Sequence, residues 1–274
     1  MKPFNKLTAL VLSFALSGIL VASESSSEVV LASEVKWEKL NPLRGDKSPQ
    51  AATLWGDRKG TVPTGFLAKF VDGFSSPPHI HNITYRAVVI SGSIHNDDPD
   101  AAPMWMPTGS FWTQPSGEVH ITAVKGSHNM ALVEIDKGPY LVLPTQKAFD
   151  NGERPINIDA SNIVWGTPSG LTASNNGPKI AYLWGNLKDG QSNGSFVKLP
   201  TGFKGSIHSY GSNFRAVVIQ GETEYLDGDF KSLTPGSYFG SKGDTKHDLK
   251  IASEDASIIY VRTNGKFEVV PETD

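Results

Sequence analysis

Three histidines carry the chemistry that this sequence can do. His79 and His81 stand one residue apart in "PPHIHNITYRAVVISG" (residues 77–92), just ahead of a β-branched run. Alternate residues of a strand point to the same face, so the two imidazoles share a side. At about 3.3 Å per residue their Cα atoms lie roughly 6.6 Å apart, which lets two ring nitrogens converge on one ion at about 2 Å. Two imidazoles alone hold an ion poorly. The stretch "GSFWTQPSGEVH" (109–120) offers a third: a strand leads into a turn at Pro115 and Gly117, and His120 opens the next strand. The competing account is a trio of core or loop histidines satisfied by hydrogen bonds, and the matching third histidine tips the balance towards a metal. Tyr85 follows His81 by four residues.

The elements that must position these residues repeat along the chain. "AATLWGDRKG" at 51 returns as "IAYLWGNLKD" at 180, and "ITYRAVVISG" returns as "SNFRAVVIQG", with Arg86 matching Arg215. "PTGSFWTQ" at 107 matches "TPGSYFGS" at 234 after a two-residue change of offset in the "HNDDPDAAP" loop. The chain therefore reads as two copies of one domain, residues 35–150 and 160–274, joined by "TQKAFDNGERPINIDAS". Within each copy, short β-branched and aromatic runs such as "YRAVVI", "ALVEI", "YLVL" and "SIIYV" are punctuated by Gly, Pro, Asn and Asp. Long helical periodicity is confined to the N-terminus. The expectation is an all-β protein of two tandem barrels.

On these residues the chain resembles the cupin superfamily. Gly73, His79, His81 and Gly92 approximate the first cupin motif, and Gly109, Pro115, Gly117 and His120 fit the second: a glycine, five residues, Pro-x-Gly, two residues, then His. The resemblance covers both copies and is nearest to bacterial cupins related to the metal-binding domain of zinc-containing anti-sigma factors. It implies two jelly-roll barrels, a divalent metal (zinc or iron) on His79, His81 and His120, and often a homodimer. In that family a glutamate completes the site, and its slot falls here at Tyr85. The tyrosine admits three roles: a packed barrel aromatic, a donor to a metal-bound water or substrate, or itself a ligand. Glu118, beside His120, is a carboxylate able to orient an imidazole from behind, or else a solvated turn residue. Without a carboxylate ligand, three neutral imidazoles leave a dication its full charge of about +2, which favours anionic or bidentate oxygen donors at open positions.

The second copy matches less well. His79 maps to His208 and His120 to His247, but His81 maps to Tyr210 and Tyr85 to Phe214, so His208, Tyr210 and His247 read as a degenerate second site. Five of the seven histidines fall at motif positions, which argues against scattered surface histidines. His95 and His128 neighbour polar loop residues and read as solvent-facing. Arg86 and Arg215 face away from the histidine side by strand alternation, and Glu134 is a spare carboxylate of the first copy.

Bulk properties bound the rest. The chain has 274 residues and a formal charge of −3, with no basic run to track a phosphate backbone, so nucleic acid is a poor partner. It has no cysteine, which removes disulfides, thiolate ligands and cysteine nucleophiles. Lys2 and Lys6 precede "LTALVLSFALSGILVA", a basic start and a short apolar core that read as a secretory signal peptide over residues 1–23. The expected mature protein is periplasmic, carries a charge of −5 once two lysines leave, and has no stable membrane insertion. Its expected partner is a small-molecule ligand or substrate. Three functions stay open: a three-histidine iron(II) dioxygenase of small diketone- or thiol-like substrates, a non-catalytic zinc or ligand-sensing module, and two metal-free barrels used as an interaction surface in the envelope.

Overall fold

Ala87 to Ile90 is apolar at four successive positions, which a strand accepts only if both of its faces are covered. The computed structural model, which describes residues 27–272, shows how this is met. The signal-peptide segment, residues 1–23, lies outside the described residues. Ala87 and Val89 point into a core made only of first-half residues, with Phe66, Trp112 and Ile135. Val88 and Ile90 point the other way, into a core shared with Phe196, Val217, Tyr238 and Tyr260 of the second half. A further core, around Val218, Phe239 and Val261, is filled by second-half residues with Val29 and Leu31 packed against it. Two large sheets thus lie against each other, each with its own filling behind it. Truncating a fully buried aromatic of the shared layer, such as Phe196, would cost about 3–5 kcal/mol.

The two large sheets run in the same order. The first is Ile156–Ile158, Phe111–Gln114, Tyr85–Asp97, Ile121–Ile135, Thr64–Phe70, Gln50–Trp55 and Glu38–Lys39. The second is Ser27–Val30, Tyr238–Ser241, Phe214–Gln220, Ser257–Thr263, Asn193–Leu199 and Lys179–Gly185. Their outermost strands are exchanged. Ser27–Val30 precedes the first half but pairs with the second, Val30 opposite Tyr238. Ile156–Ile158, inside the stretch read as the joint, pairs with the first, Ile158 opposite Phe111.

Among the described residues helix is limited to three short 3₁₀ turns, and none is long and apolar enough to cross a membrane. No closed barrel forms among the described residues: each ladder is an open path that does not return to its first strand. In the second half a five-stranded sheet faces the six-stranded one, and the edges are joined by packing rather than by backbone hydrogen bonds. In the first half the long strands Tyr85–Asp97 and Ile121–Ile135 bend at bulges between Val89 and Ser93 and carry on into the opposite layer. Gly92 sits at that bend with φ +79°, where a Cβ would come 2.1 Å from the Asn129 side chain. Only glycine fits there. The bend aims the far ends of both strands at the three histidines.

Candidate metal centre

His79 and His120 lie directly across an antiparallel bridge, each backbone N–H bonded to the other's carbonyl. Directly opposed residues share a face, so both rings enter the first half's interior. His81 follows on the short strand Ile80–His81, held from the far side by Val142–Leu143. One nitrogen from each ring lies within 4.8 Å of the others, and the ring centroids are 4.3–5.2 Å apart.

Each imidazole is oriented from behind by a carbonyl. His79 Nδ1 meets Pro77 O at 2.9 Å, His81 Nδ1 meets Leu141 O at 3.0 Å, and His120 Nδ1 meets Glu118 O at 3.2 Å. A carbonyl only accepts, so every Nδ1 carries the proton and every Nε2 is left with its lone pair. Burial holds His79 below the usual histidine range. It holds His81 well below, helped by His120 and His79, and pushes His120 down to about 3, helped by His79. The trio is therefore neutral at neutral pH, as ligation requires. His120 Nε2 is buried with no hydrogen-bond partner, a lone pair whose isolation costs about 1–3 kcal/mol. This donor set fits a divalent transition ion.

Tyr85 lies beside the rings, 5.1 Å from His81 between centroids, but its hydroxyl is committed elsewhere. It donates to Asn96 Oδ1 at 2.9 Å and accepts Trp112 Nε1–H at 3.4 Å. Asn96 also accepts from Thr122 and donates to Gln114, whose amide reaches the Glu118 carbonyl. Burial pushes the Tyr85 phenol up to about 12 despite these bonds. A closed belt of neutral groups therefore stands where the carboxylate slot falls. Glu118 contributes through its backbone oxygen, which holds both His120 and Gln114. Glu134 lies at the seam between the halves, accepting from Tyr260 at 2.8 Å and facing Arg262 at 3.2 Å. Arg86 lies over Trp184, 3.6 Å from the ring centre, and bonds Asp136, away from the histidines. His95, expected in solvent, is instead buried beside Trp105, its Nδ1 accepting the Met104 N–H at 3.3 Å.

The second-half trio is not brought together. His247 is opposed by Ile207, while His208 is opposed by Lys246, one residue out of step with the bridge between His79 and His120. A one-residue shift exchanges the faces of a strand. His208 and Tyr210 therefore turn outward, to Asp244 and Glu268, and the residues beside His247 on the inner face are Ile207 and Ser209. His247 itself is filled in: Tyr225 and Ser241 hydroxyls each lie 2.9 Å from a ring nitrogen, and Phe214 stacks on it at 4.8 Å. Among the described residues, only the first-half trio forms a potential ligand group of histidine, aspartate or glutamate.

One neighbour of the trio was not legible in the sequence. Tyr140 stacks on His81, centroids 4.4 Å apart, and its hydroxyl is 3.2 Å from His81 Nε2. It sits in the strap that supplies the Leu141 carbonyl, tied to Asn82 through Pro139 O and Leu141 N. "YLVL" marked a strand but not its pairing with the segment of His81.

The comparisons agree with this architecture. The family model described as "Domain of unknown function (DUF4437)" matches residues 28–270. No curated protein matches the chain. Among solved structures, the chain is similar to a provisionally named dioxygenase of Nostoc punctiforme PCC 73102, with TM-score 0.66 and 13% identity over 90% of this chain and 87% of that one. It is also similar to a variant of oxalate decarboxylase from Bacillus subtilis, with TM-score 0.54 and 12% identity over 89% and 78%. A further structure of that enzyme, described with Mn(II) centres, matches with TM-score 0.52 and 12% identity over 86% and 77%. These neighbours are cupin-fold proteins, and at such identities the likeness is one of fold alone.

Proposed function

The chain belongs to the DUF4437 family, and from that premise we propose that it is an exported bicupin holding one divalent transition ion in its first half. One observation carries this: three imidazoles, each fixed behind by a backbone carbonyl, turn their Nε2 lone pairs on a common point. The cupin halves are residues 35–150 and 160–274, related by duplication, and the leader over residues 1–23 directs the mature protein to the periplasm. Bound there, the ion would supply Lewis acidity at open positions to a small oxygen-donor molecule. The residues do the rest. Pro77, Leu141 and Glu118 fix the rings, and the Tyr85–Asn96–Gln114–Thr122 belt keeps the site free of a carboxylate, so that the centre attracts anions.

Imidazole suits iron and zinc alike, so the donors do not choose the metal. The fold neighbours include a provisionally named dioxygenase and an enzyme described with Mn(II) centres, and because that likeness is one of fold alone the ion itself must separate a redox centre from a zinc staple or sensor. The test is elemental analysis of the mature protein from its native compartment beside His81→Ala. About one ion per chain, lost in the variant, is the expected result, and iron or manganese would support chemistry on the substrate. Metal absent from both samples would overturn the reading.

A further inference from the structure

Tyr140, half-buried against the first-half core, is the group whose partner changes when the centre is filled. His81 Nδ1 already donates to Leu141 O, so Nε2 is the acceptor and the Tyr140 hydroxyl is the donor across their 3.2 Å contact. An ion bound to His81 takes that same lone pair. The hydroxyl then loses its acceptor while its ring stays stacked on His81 and packed against Phe66 and Tyr85. A hydroxyl that has lost its acceptor gains from a new one close to where Nε2 was, and the open positions of the centre lie there. Tyr85 does not offer one: its oxygen already accepts from Trp112 and donates to Asn96.

We propose that Tyr140 is a positioning residue that donates its hydroxyl to an anionic oxygen or nitrogen ligand at an open position of the metal centre. The ligand class is a small anion such as a carboxylate, and this rests on the metal-site reading above. The tyrosine comes from the strap rather than from either histidine strand, so it selects the ligand without contributing to the ion's own donor set.

The experiment loads the full mature chain and Tyr140→Phe with cobalt(II), measures cobalt affinity by chelator competition, and titrates formate and azide while following the visible cobalt bands. Tyr140→Phe is expected to hold cobalt as tightly or more tightly, since no hydroxyl competes for His81 Nε2. Formate and azide should bind about tenfold more weakly, the usual loss of a hydrogen bond to a charged group. Tyr210→Phe, which removes a surface hydroxyl bonded to Glu268, should leave anion affinity in place. Equal anion affinities in wild type and Tyr140→Phe would overturn the proposal. So would a cobalt affinity that falls with Tyr140→Phe, together with a visible charge-transfer band in the iron(III)-loaded wild type that the variant lacks, because Tyr140 would then be a ligand. Wild type that binds no cobalt would overturn both the proposal and the metal-site reading, whereas cobalt bound with unchanged anion affinity would overturn the proposal alone.

Discussion

His120, just before Ile121–Ile135, and His247, within Thr245–Lys250, both enter the interior of their half, yet one waits for an ion and the other is finished. His120 has its Nδ1 tied to a carbonyl and its Nε2 buried with no partner, beside two more imidazoles. His247 has a hydroxyl at each nitrogen and an aromatic ring on its face. Both rings are neutral for the same reason, since burial pushes one down to about 3 and the other to about 4. Neutrality therefore does not distinguish a ligand from a core residue. The distinction lies in whether the lone pairs are already used, and that depends on a one-residue shift that places Ile207 rather than a histidine across from His247.

The sharpest way to break this comparison is to truncate the two histidines separately. His120→Ala should weaken metal binding by more than about 100-fold, beyond what loss of an outer-shell partner costs, as read by chelator competition. His247→Ala should leave metal content unchanged and instead lower stability by about 2–4 kcal/mol in denaturant unfolding. Loss of metal in the second variant would mean that the halves share one site.

The pH dependence follows from the same ring. His247 has a folded pKa of about 4 against 6.5 when unfolded, so the unfolded chain binds the extra proton between those values. Stability is therefore lost as pH falls from about 6.5 to about 4, and His247's share is about 3 kcal/mol. His247→Leu should flatten that part of the stability profile. An unchanged slope would show that His247 titrates normally in the folded protein.

A weaker effect is expected from rebuilding the second site. Ile207→His with Ser209→His should give the second half a low-affinity ion, raising the metal count towards two per chain. Tyr210→His, the change that sequence matching suggests, should not, because position 210 faces outward. Smallest of all is Tyr210→Phe, whose hydroxyl reaches only Glu268 at the surface. Neither melting temperature nor metal content should move.

Much of this was legible in residue types. The spacing of His79 and His81 and the turn before His120 marked three donors, and the β-branched runs marked a sheet protein. Less visible were the groups that make donors into a centre. The carbonyls of Pro77, Leu141 and Glu118 have no side-chain signature, and Tyr140 reaches His81 from 59 residues away. The matching of His79 to His208 was one residue out because identity is scored along the chain. The ladder, by contrast, follows which side chains fill the interior. The exchanged strands Ser27–Val30 and Ile156–Ile158 were hidden for a similar reason: a short strand does not encode its partner.

By itself the sequence determined the donor chemistry, the alternation that puts His79 and His81 on one face, and the absence of any thiolate or disulfide. Only the tertiary structure decided which imidazoles meet, which lone pairs are spent and which carboxylates lie far from them. The reason is physical. Alternation along a strand is local, whereas register, burial and the identity of a hydrogen-bond partner are set by strands that arrive from elsewhere in the chain.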